Sequence, residues 1–240
     1  MRLIFLHGLG QDKTAWDDVI AALPHQDCLT LDLFADGKMP ENFETLTEQV
    51  AGSLQEIEED FILIGLSLGG VLALALSQYH FVHLKGLIIS GAQYRLKGNF
   101  LYKLQLFVFQ LLSQSVFKKR GVAKRPLLAC LKSMSNLDLS ERLKCIQLPT
   151  LILCGQKDKP NLLPAKEMAE LIPNAKLAVI KKGGHLLNTE MPTVFATEIT
   201  DFLKTLTERE VKYADSSNKG GRISPLGRLS LSGHICTRRG

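Results

Sequence analysis

Short apolar runs alternate with amphipathic segments along most of the chain. The runs have the length of strands, and the segments between them repeat apolar residues at helical spacings. The runs lie at Leu3–Leu6, Cys28–Leu33, Phe61–Ile64, Leu87–Ser90, Thr150–Cys154 and Ala178–Ile180. This alternation predicts an α/β fold, with a mostly parallel sheet of about six strands and helices on both faces. A functional site is expected at the carboxyl ends of the strands.

Two sequence patterns predict where helices begin. Thr14 stands three residues before Asp17, and Thr45 stands three residues before Glu48. Each pair matches a capping box, in which the first side chain accepts a hydrogen bond from the helix N-terminus. The last helical patterns cover Pro164–Leu171 and Phe195–Leu206.

The alternation stops between residues 95 and 148, where no strand pattern occurs. The helical patterns there cover residues 100–117, 126–134 and 140–146. An insertion at this point of a parallel sheet would lie over the strand ends, so we expect a helical cap. The predicted domains are a core of residues 1–94 and 149–207, a cap of residues 95–148, and a flexible basic tail of residues 208–240.

The predicted cap is unusually apolar between residues 100 and 117. Phe107, Phe109, Leu111 and Leu112 are candidates to line an apolar substrate pocket, although any one of them would equally serve to pack the cap onto the sheet. A third interpretation is an interfacial helix that dips into a membrane. We disfavour it because apolar residues occupy most faces of this segment, whereas a helix at a membrane surface needs a clean polar stripe.

Composition favours a single cytoplasmic domain. The chain has 240 residues, of which 45% are hydrophobic, so it is large enough for one substantial core. The five cysteines are scattered, odd in number and form no C-x-x-C pair, which indicates neither a disulfide framework nor a zinc site and predicts a reducing compartment. We expect no metal and no cofactor. The first apolar run is too short for a signal peptide, and no stretch approaches the roughly 20 apolar residues of a membrane span. We expect no stable membrane insertion, and nothing in the sequence indicates an oligomeric state.

The net charge of +5 comes entirely from the carboxyl-terminal tail. Residues 209–240 include seven basic and two acidic side chains, which leaves 22 of each sign in the rest of the chain. The tail arginines are dilute and lack the interleaved aromatic residues of a segment that binds nucleic acid. No nucleic-acid partner is expected.

The segment Gly65–Gly70 joins a predicted buried strand to a predicted buried helix, and its sequence is Gly-Leu-Ser-Leu-Gly-Gly. So abrupt a turn forces its central residue, Ser67, into a strained backbone conformation. Neighbouring segments can approach only where side chains are missing, which explains the glycines on both sides. The turn projects the Ser67 hydroxyl clear of the sheet, beside the free N–H groups of a helix N-terminus. The alternative is a glycine-rich turn with a purely structural role.

Three further motifs accompany this turn. His7-Gly8-Leu9-Gly10 follows the first strand, Gly155-Gln156-Lys157-Asp158 follows a late strand, and Gly183-Gly184-His185 precedes the last helix. With Gly-x-Ser-x-Gly, they resemble the α/β-hydrolase fold superfamily over roughly residues 1–206, in its Ser, Asp, His order. The first antiparallel strand pair of larger members has no counterpart here, so we expect a compact version. A serine at the nucleophile position disfavours dehalogenase and epoxide hydrolase chemistry, which uses a carboxylate.

The resemblance implies a catalytic triad of Ser67, His185 and Asp158. A serine hydroxyl is a weak nucleophile, so it needs a base such as the His185 imidazole to take its proton and later return it to the leaving group. Asp158 would fix the tautomer of His185 and stabilise its charged form. The resemblance assigns the oxyanion hole to the backbone N–H groups of Leu9 and Leu68.

Three other polar residues have more ordinary interpretations. Asp138, in the cap, is the alternative acid if Asp158 is only a solvated charge or a helix cap. His7 is expected to brace the oxyanion loop instead of acting as a base. Asp32, at the end of the second strand, is expected to cap a turn.

We expect a serine hydrolase that cleaves a small-molecule carboxylic ester with a small to medium apolar acyl group, through an acyl-enzyme on Ser67. Two alternatives in the same fold use the same triad: hydrolysis of a carbon–carbon bond, and a lyase like the synthase of the menaquinone pathway, which abstracts a proton. The lyase would need cap arginines such as Arg95, Arg120 or Arg125 to bind substrate carboxylates. A non-catalytic module for a small apolar ligand is also possible, but such a module needs no triad.

Overall fold

The computed structural model describes residues 1–34, 40–118 and 123–219. In that part of the chain the strands are β1 (Arg2–Leu6), β2 (Asp27–Leu31), β3 (Phe61–Leu66), β4 (Leu84–Ser90), β5 (Thr150–Gly155) and β6 (Ala175–Ile180). These six strands form one sheet, in the order β2-β1-β3-β4-β5-β6, and all neighbouring strands are parallel. The predicted parallel sheet is confirmed. Because β1 lies between β2 and β3, the strand order reverses there and opens a crevice at the carboxyl ends of these strands.

Helices cover both faces of the sheet, as predicted. They are α1 (Asp17–Ala21), α2 (Phe43–Gln55), α3 (Leu68–Leu76), α4 (Phe100–Leu111), α5 (Gln114–Lys118), α6 (Lys124–Ser133), α7 (Ser140–Lys144), α8 (Lys159–Leu171), α9 (Leu187–Glu190) and α10 (Pro192–Lys219). Short 3-10 helices lie at Lys13–Trp16 and Met134–Asn136. Among the described helices, none combines the length and the hydropathy that a membrane-spanning segment needs.

The central strands are apolar throughout because they are buried on both faces. Successive side chains of β1 alternate between two core clusters: Ile4 and Leu6 pack with α2, α3 and α8, whereas Leu3 and Phe5 pack with Trp16 and α10. A continuous apolar run in the sequence thus corresponds to a strand between two helical layers.

Both capping-box predictions name the wrong capping residue. Asp12 caps the first helical turn and accepts a hydrogen bond from the N–H of Thr14 at 2.8 Å. Asn42 caps α2 and accepts from the N–H of Thr45 at 2.8 Å. Asp and Asn occupy the extended position just before each helix, where their short side chains reach the free N–H groups. The threonines lie inside the first turn instead.

Helices α8 and α10 are longer than predicted. α8 begins at Lys159 instead of Pro164. Pro160 is compatible with this earlier start because it stands in the first turn, where a missing N–H costs no hydrogen bond. α10 continues to Lys219, past residue 208, where the flexible tail is predicted to start. Helix-forming Glu, Lys, Arg and Ala are frequent over residues 208–219, and no glycine or proline occurs there. The rest of the predicted tail lies outside the described residues.

The segment between β4 and β5 carries helices α4 to α7, in the region predicted to be a cap. Its described residues also form one isolated antiparallel bridge, between Arg95 and Asp138. Buried cap residues such as Leu127 and Leu131 belong to the same apolar cluster as α2 and α3. The predicted boundaries of core and cap stay a prediction, because the two share this cluster.

Candidate active site

Ser67 lies at the sharp turn between β3 and α3, in the strained conformation that its sequence context predicts. Its backbone angles are φ 54° and ψ −114°, which non-glycine residues rarely adopt. The turn is held by a 2.8 Å hydrogen bond from the Ser67 N–H to the carbonyl oxygen of Ser90. A Cβ on Gly65 would press on the carbonyl oxygen of Gly69, and one on Gly69 would press on the carbonyl oxygen of Leu6. Glycine is therefore required on both sides of the serine.

The structure brings Ser67, His185 and Asp158 together from the ends of three strands. The Nε2 atom of His185 lies 3.1 Å from the Oγ of Ser67, and its Nδ1 lies 2.7 Å from the Oδ2 of Asp158. An ionised carboxylate can only accept a hydrogen bond, so Nδ1 carries the proton and Nε2 is free to accept the serine proton. The geometry is that of a serine activated by an oriented base.

The carboxylate of Asp158 is buried and is held by a neighbour that sequence reasoning missed. The amide Nδ2 of Asn161 donates to both carboxylate oxygens, at 2.9 Å each. Asn161 is itself buried, in the first turn of α8. The available signal was an amide three residues after the acid, which is one helical turn along the same face.

A second missed residue, Glu190, holds the loop that carries His185. Its carboxylate accepts from the N–H of Gly184 at 2.8 Å and from the N–H of Leu186 at 3.2 Å. These two residues flank the histidine in sequence. Glu190 therefore fixes the backbone on both sides of His185, although no local motif marks it.

His7 is fully buried and braces the loop after β1, as predicted. Its Nδ1 lies 2.9 Å from the carbonyl oxygen of Gly8, and its Nε2 accepts from the N–H of Leu33 at 3.0 Å. Nδ1 is therefore the protonated nitrogen and the ring is neutral. Burial lowers the pKa of His7, because a charged imidazole would lose its solvation. Asp32 accepts from the N–H of Phe34 at 3.1 Å, which confirms its role as a turn cap.

Two amide side chains that sequence reasoning missed connect this loop to α9. The Oε1 of Gln11 accepts from the N–H of Gly8 at 3.0 Å, and its Nε2 donates to the Oδ1 of Asn188 at 3.2 Å. Asn188 in turn donates to the carbonyl oxygen of Ala15 at 2.9 Å. The N–H groups of Leu9 and Leu68 have no acceptor among the described residues, and both residues line the cavity beside Ser67.

A cavity of about 600 Å³ lies between the strand ends and the cap helices, with the three residues at its base. Apart from the polar groups near Ser67, its wall is largely apolar. The apolar lining residues include Leu9, Leu68, Val71, Leu96, Tyr102, Phe109, Phe117, Leu127, Leu131 and Met134. No lysine or arginine lines it in the part of the chain that the structure describes.

Only one of the four cap residues proposed for the pocket lines it. Phe109 faces the cavity, whereas Phe107 and Leu111 are exposed and Leu112 packs against the core. Phe107 and Leu111 are four residues apart and share one face of α4. Phe109, halfway between them, lies on the opposite face.

The other candidate residues that the structure describes lie away from the cavity. Asp138 is exposed, and its Oδ1 accepts from the N–H of Ser140 at 3.0 Å, so Asp158 is the acid that contacts His185. Arg95 and Arg125 are exposed and do not line the cavity. Arg120 lies outside the described residues.

Two buried cysteines offer no competing nucleophile at neutral pH. Burial raises the pKa of both Cys130 and Cys154 to about 11, so their thiols stay protonated. The described residues contain no group of three or more His, Cys, Asp or Glu side chains that could hold a metal ion.

Comparison with known proteins finds relatives over more than four fifths of the chain. A family model described as "Alpha/beta hydrolase family" matches residues 3–198. A putative 2-succinyl-6-hydroxy-2,4-cyclohexadiene-1-carboxylate synthase of Haemophilus influenzae is 28% identical over 83% of this chain and 96% of its own length. A pimeloyl-[acyl-carrier protein] methyl ester esterase of Wigglesworthia glossinidia brevipalpis is 26% identical over 85% and 94%, respectively. The solved structure of MenH from S. aureus superimposes with a TM-score of 0.70 at 26% identity, covering 86% of this chain and 94% of that one.

Proposed function

This chain belongs to the alpha/beta hydrolase family, and on that premise we propose that it cleaves a carboxylic ester with a small to medium apolar acyl group. The observation that carries the proposal is the hydrogen-bonded series Ser67, His185, Asp158 at the base of an apolar cavity. The polar groups lie where a bond would be cleaved, and the apolar wall lies where an acyl chain would rest.

In the first step His185 takes the hydroxyl proton of Ser67 while Oγ attacks the ester carbonyl carbon. The positive charge that forms on the imidazole faces the buried carboxylate of Asp158, 2.7 Å away. The tetrahedral intermediate collapses when His185 Nε2 returns the proton to the alcohol oxygen, and the acyl group stays on Ser67. Water, deprotonated by the same nitrogen, then attacks the acyl carbon; the bond from this carbon to Oγ breaks, the acid leaves, and Nε2 returns the proton to Oγ.

The negative charge on the substrate oxygen needs preorganised donors, and we assign these to the N–H groups of Leu9 and Leu68. Both groups lack an acceptor within the described protein, as donors reserved for a reaction intermediate should. The bonds of His7 and Gln11 to Gly8 hold the Leu9 loop in place before substrate arrives. A single donor of this kind is worth about 3 kcal/mol of the barrier.

The relatives are named for two different chemistries, a synthase and an ester hydrolase. The lining of the cavity favours the ester. Substrate carboxylates would require cationic side chains, yet no described lining residue is a lysine or arginine. An uncharged acyl chain needs no such partner. The ester is therefore our proposal, and the lyase is the competing outcome of its test.

The test combines active-site labelling with turnover. A fluorophosphonate probe should label the wild type, and Ser67→Ala and His185→Ala should abolish labelling. With p-nitrophenyl esters of increasing acyl length, kcat/KM should peak at a small to medium chain and fall at least about a thousandfold in either variant. Ser53→Ala and His80→Ala carry the same substitutions away from the cavity and should behave as wild type.

Two results would contradict the proposal. Absence of both labelling and ester turnover in the folded wild type would favour a binding module, and the cavity would then be probed with apolar ligands. Labelling without turnover of any ester would move the lyase and carbon–carbon hydrolysis ahead, and activity on substrates with several carboxylates would separate these two.

A further inference from the structure

Helix α4 presents a continuous apolar stripe to solvent on the outside of the cap. Phe100, Leu104, Phe107, Val108 and Leu111 are between 43% and 73% exposed. Phe100, Leu104, Phe107 and Leu111 follow one another at spacings of four, three and four residues, and Val108 adjoins Phe107, so the five share one face of the helix. Single exposed apolar side chains are common on protein surfaces, but a row of five on one helix marks a surface that binds something.

The opposite face of α4 is already occupied. Leu106 is buried, Tyr102, Gln105 and Phe109 line the cavity, and the hydroxyl of Tyr102 donates to the carbonyl oxygen of Leu131 at 2.6 Å. In the sequence, apolar residues on most faces of residues 100–117 argued against an interfacial helix. In the structure, the apolar residues of the two faces of α4 have different roles. One face covers the cavity, and the other faces outward, where no described residue covers it.

The stretch of sequence that contains this stripe carries charge of a single sign. From Leu96 to Leu137 the sequence contains eight lysines and arginines and no aspartate or glutamate. Lys97, Lys103, Arg125 and Lys132 are exposed, and none of them forms an ion pair with another described residue. Lys103 adjoins the stripe, one helical turn from both Phe100 and Phe107.

We propose that the outer face of α4 is a docking surface for anionic phospholipid, which brings the cap into contact with a membrane surface without insertion across it. Apolar side chains that enter the interface and cations that face anionic headgroups are the two attractions that hold an interfacial helix. A second copy of the chain would meet this face with charge of the same sign, which opposes self-association. An acidic protein would pair with the lysines and arginines, but its surface would also have to bury the five exposed apolar side chains.

Vesicle co-sedimentation tests the proposal with the full-length protein. Wild type should bind phosphatidylcholine vesicles that contain about 30% phosphatidylglycerol and should bind pure phosphatidylcholine at least about tenfold more weakly. Raising salt from about 0.05 M to about 0.5 M should weaken binding to the anionic vesicles, because it screens the lysines and arginines. The double variant Phe100→Glu/Leu104→Glu should lower the partition coefficient at least about tenfold.

Matched controls separate docking from folding and from catalysis. Val82→Glu makes the same kind of change at an exposed apolar residue outside the cap, and it should bind vesicles as wild type does. The double variant should keep its far-ultraviolet circular dichroism and its turnover of a water-soluble ester, since neither side chain lines the cavity. Ser67→Ala should bind vesicles normally, so failure of the proposed hydrolase chemistry would leave this test intact.

Three outcomes would overturn the proposal. The first is wild type that does not bind anionic vesicles. The second is binding that the double variant retains, which would place the contact elsewhere. The third is that wild type does not bind vesicles but forms a concentration-dependent dimer, or a complex with an acidic protein, in sedimentation velocity. The double variant would lose this association. That result would assign the face to a protein partner.

Discussion

The contact between α3 and β1 makes a sharp prediction, because one residue of this helix cannot carry a side chain. Gly69 stands in the first turn of α3, directly after the Ser67 turn. A Cβ at this position would lie 2.7 Å from the carbonyl carbon of Leu6 and 2.8 Å from the carbonyl oxygen of His7. Both are backbone atoms of a central strand and its loop, so the steric clash can be removed only if the helix moves away from the sheet.

Gly52 in α2 provides a matched control. Nothing lies within 4 Å of a Cβ built there, so Gly52→Ala tests helix preference alone. The higher helix propensity of alanine should raise the free energy of unfolding by about 0.5 to 1 kcal/mol. Overpacking costs typically about 1 to 3 kcal/mol, and an unyielding backbone obstacle favours the upper end. We expect Gly69→Ala to lower the free energy of unfolding by about 2 kcal/mol, the opposite sign for the same substitution.

Urea unfolding measures both variants through the fluorescence of the single tryptophan. Trp16 is fully buried between Phe5 and Phe195, so unfolding should change its emission. Movement of α3 would also displace Ser67 from His185, and kcat/KM on the best ester should fall about a hundredfold in Gly69→Ala. Equal effects of the two substitutions on stability, or full activity in Gly69→Ala, would refute this account of the turn.

Three further predictions concern the residues that support the site. Asn161→Ala should lower kcat/KM about tenfold with little change in KM, because the Asp158 carboxylate loses both hydrogen bonds that orient it; steady-state kinetics checks this. Glu190→Gln keeps one acceptor oxygen for the two N–H groups beside His185, so kcat/KM should fall while circular dichroism stays unchanged. Above about pH 6.5 the His7 imidazole is neutral in both the folded and the unfolded chain, so its buried hydrogen bonds contribute fully to the free energy of unfolding. Its lowered pKa means that this contribution is lost as pH falls further, so urea unfolding should show a pH slope below 6.5 that His7→Asn removes.

The sheet could be predicted because each central strand leaves a local pattern in the sequence. A strand covered on both faces must be apolar at every position, so each one is a short uninterrupted apolar run. The turn at Ser67 was equally visible, because a steric requirement for glycine falls within two residues of the serine. Where several local signals compete, the sequence was less decisive. Asp12 and Asn42 cap helices that the capping-box pattern assigned to threonines.

The surroundings of the site depend on contacts between distant segments. Asn161, Glu190 and the pair Gln11 and Asn188 are ordinary polar residues in the sequence, and they matter only through the loops they join. Gln11 and Asn188 are 177 positions apart. No spacing rule reaches so far, because the distance between them is set by how the strands are ordered in the sheet.

The sequence by itself determined the strand and helix alternation and the family, and it marked Ser67, Asp158 and His185 as the proposed reactive residues, since each depends on short-range sterics or on reactive side chains. Only the tertiary structure decided which face of α4 covers the cavity and which faces solvent. Phe107 and Phe109 are equally apolar and two residues apart. Their roles diverge because a helix turns them to opposite sides, and the position of the sheet beneath makes one side the interior.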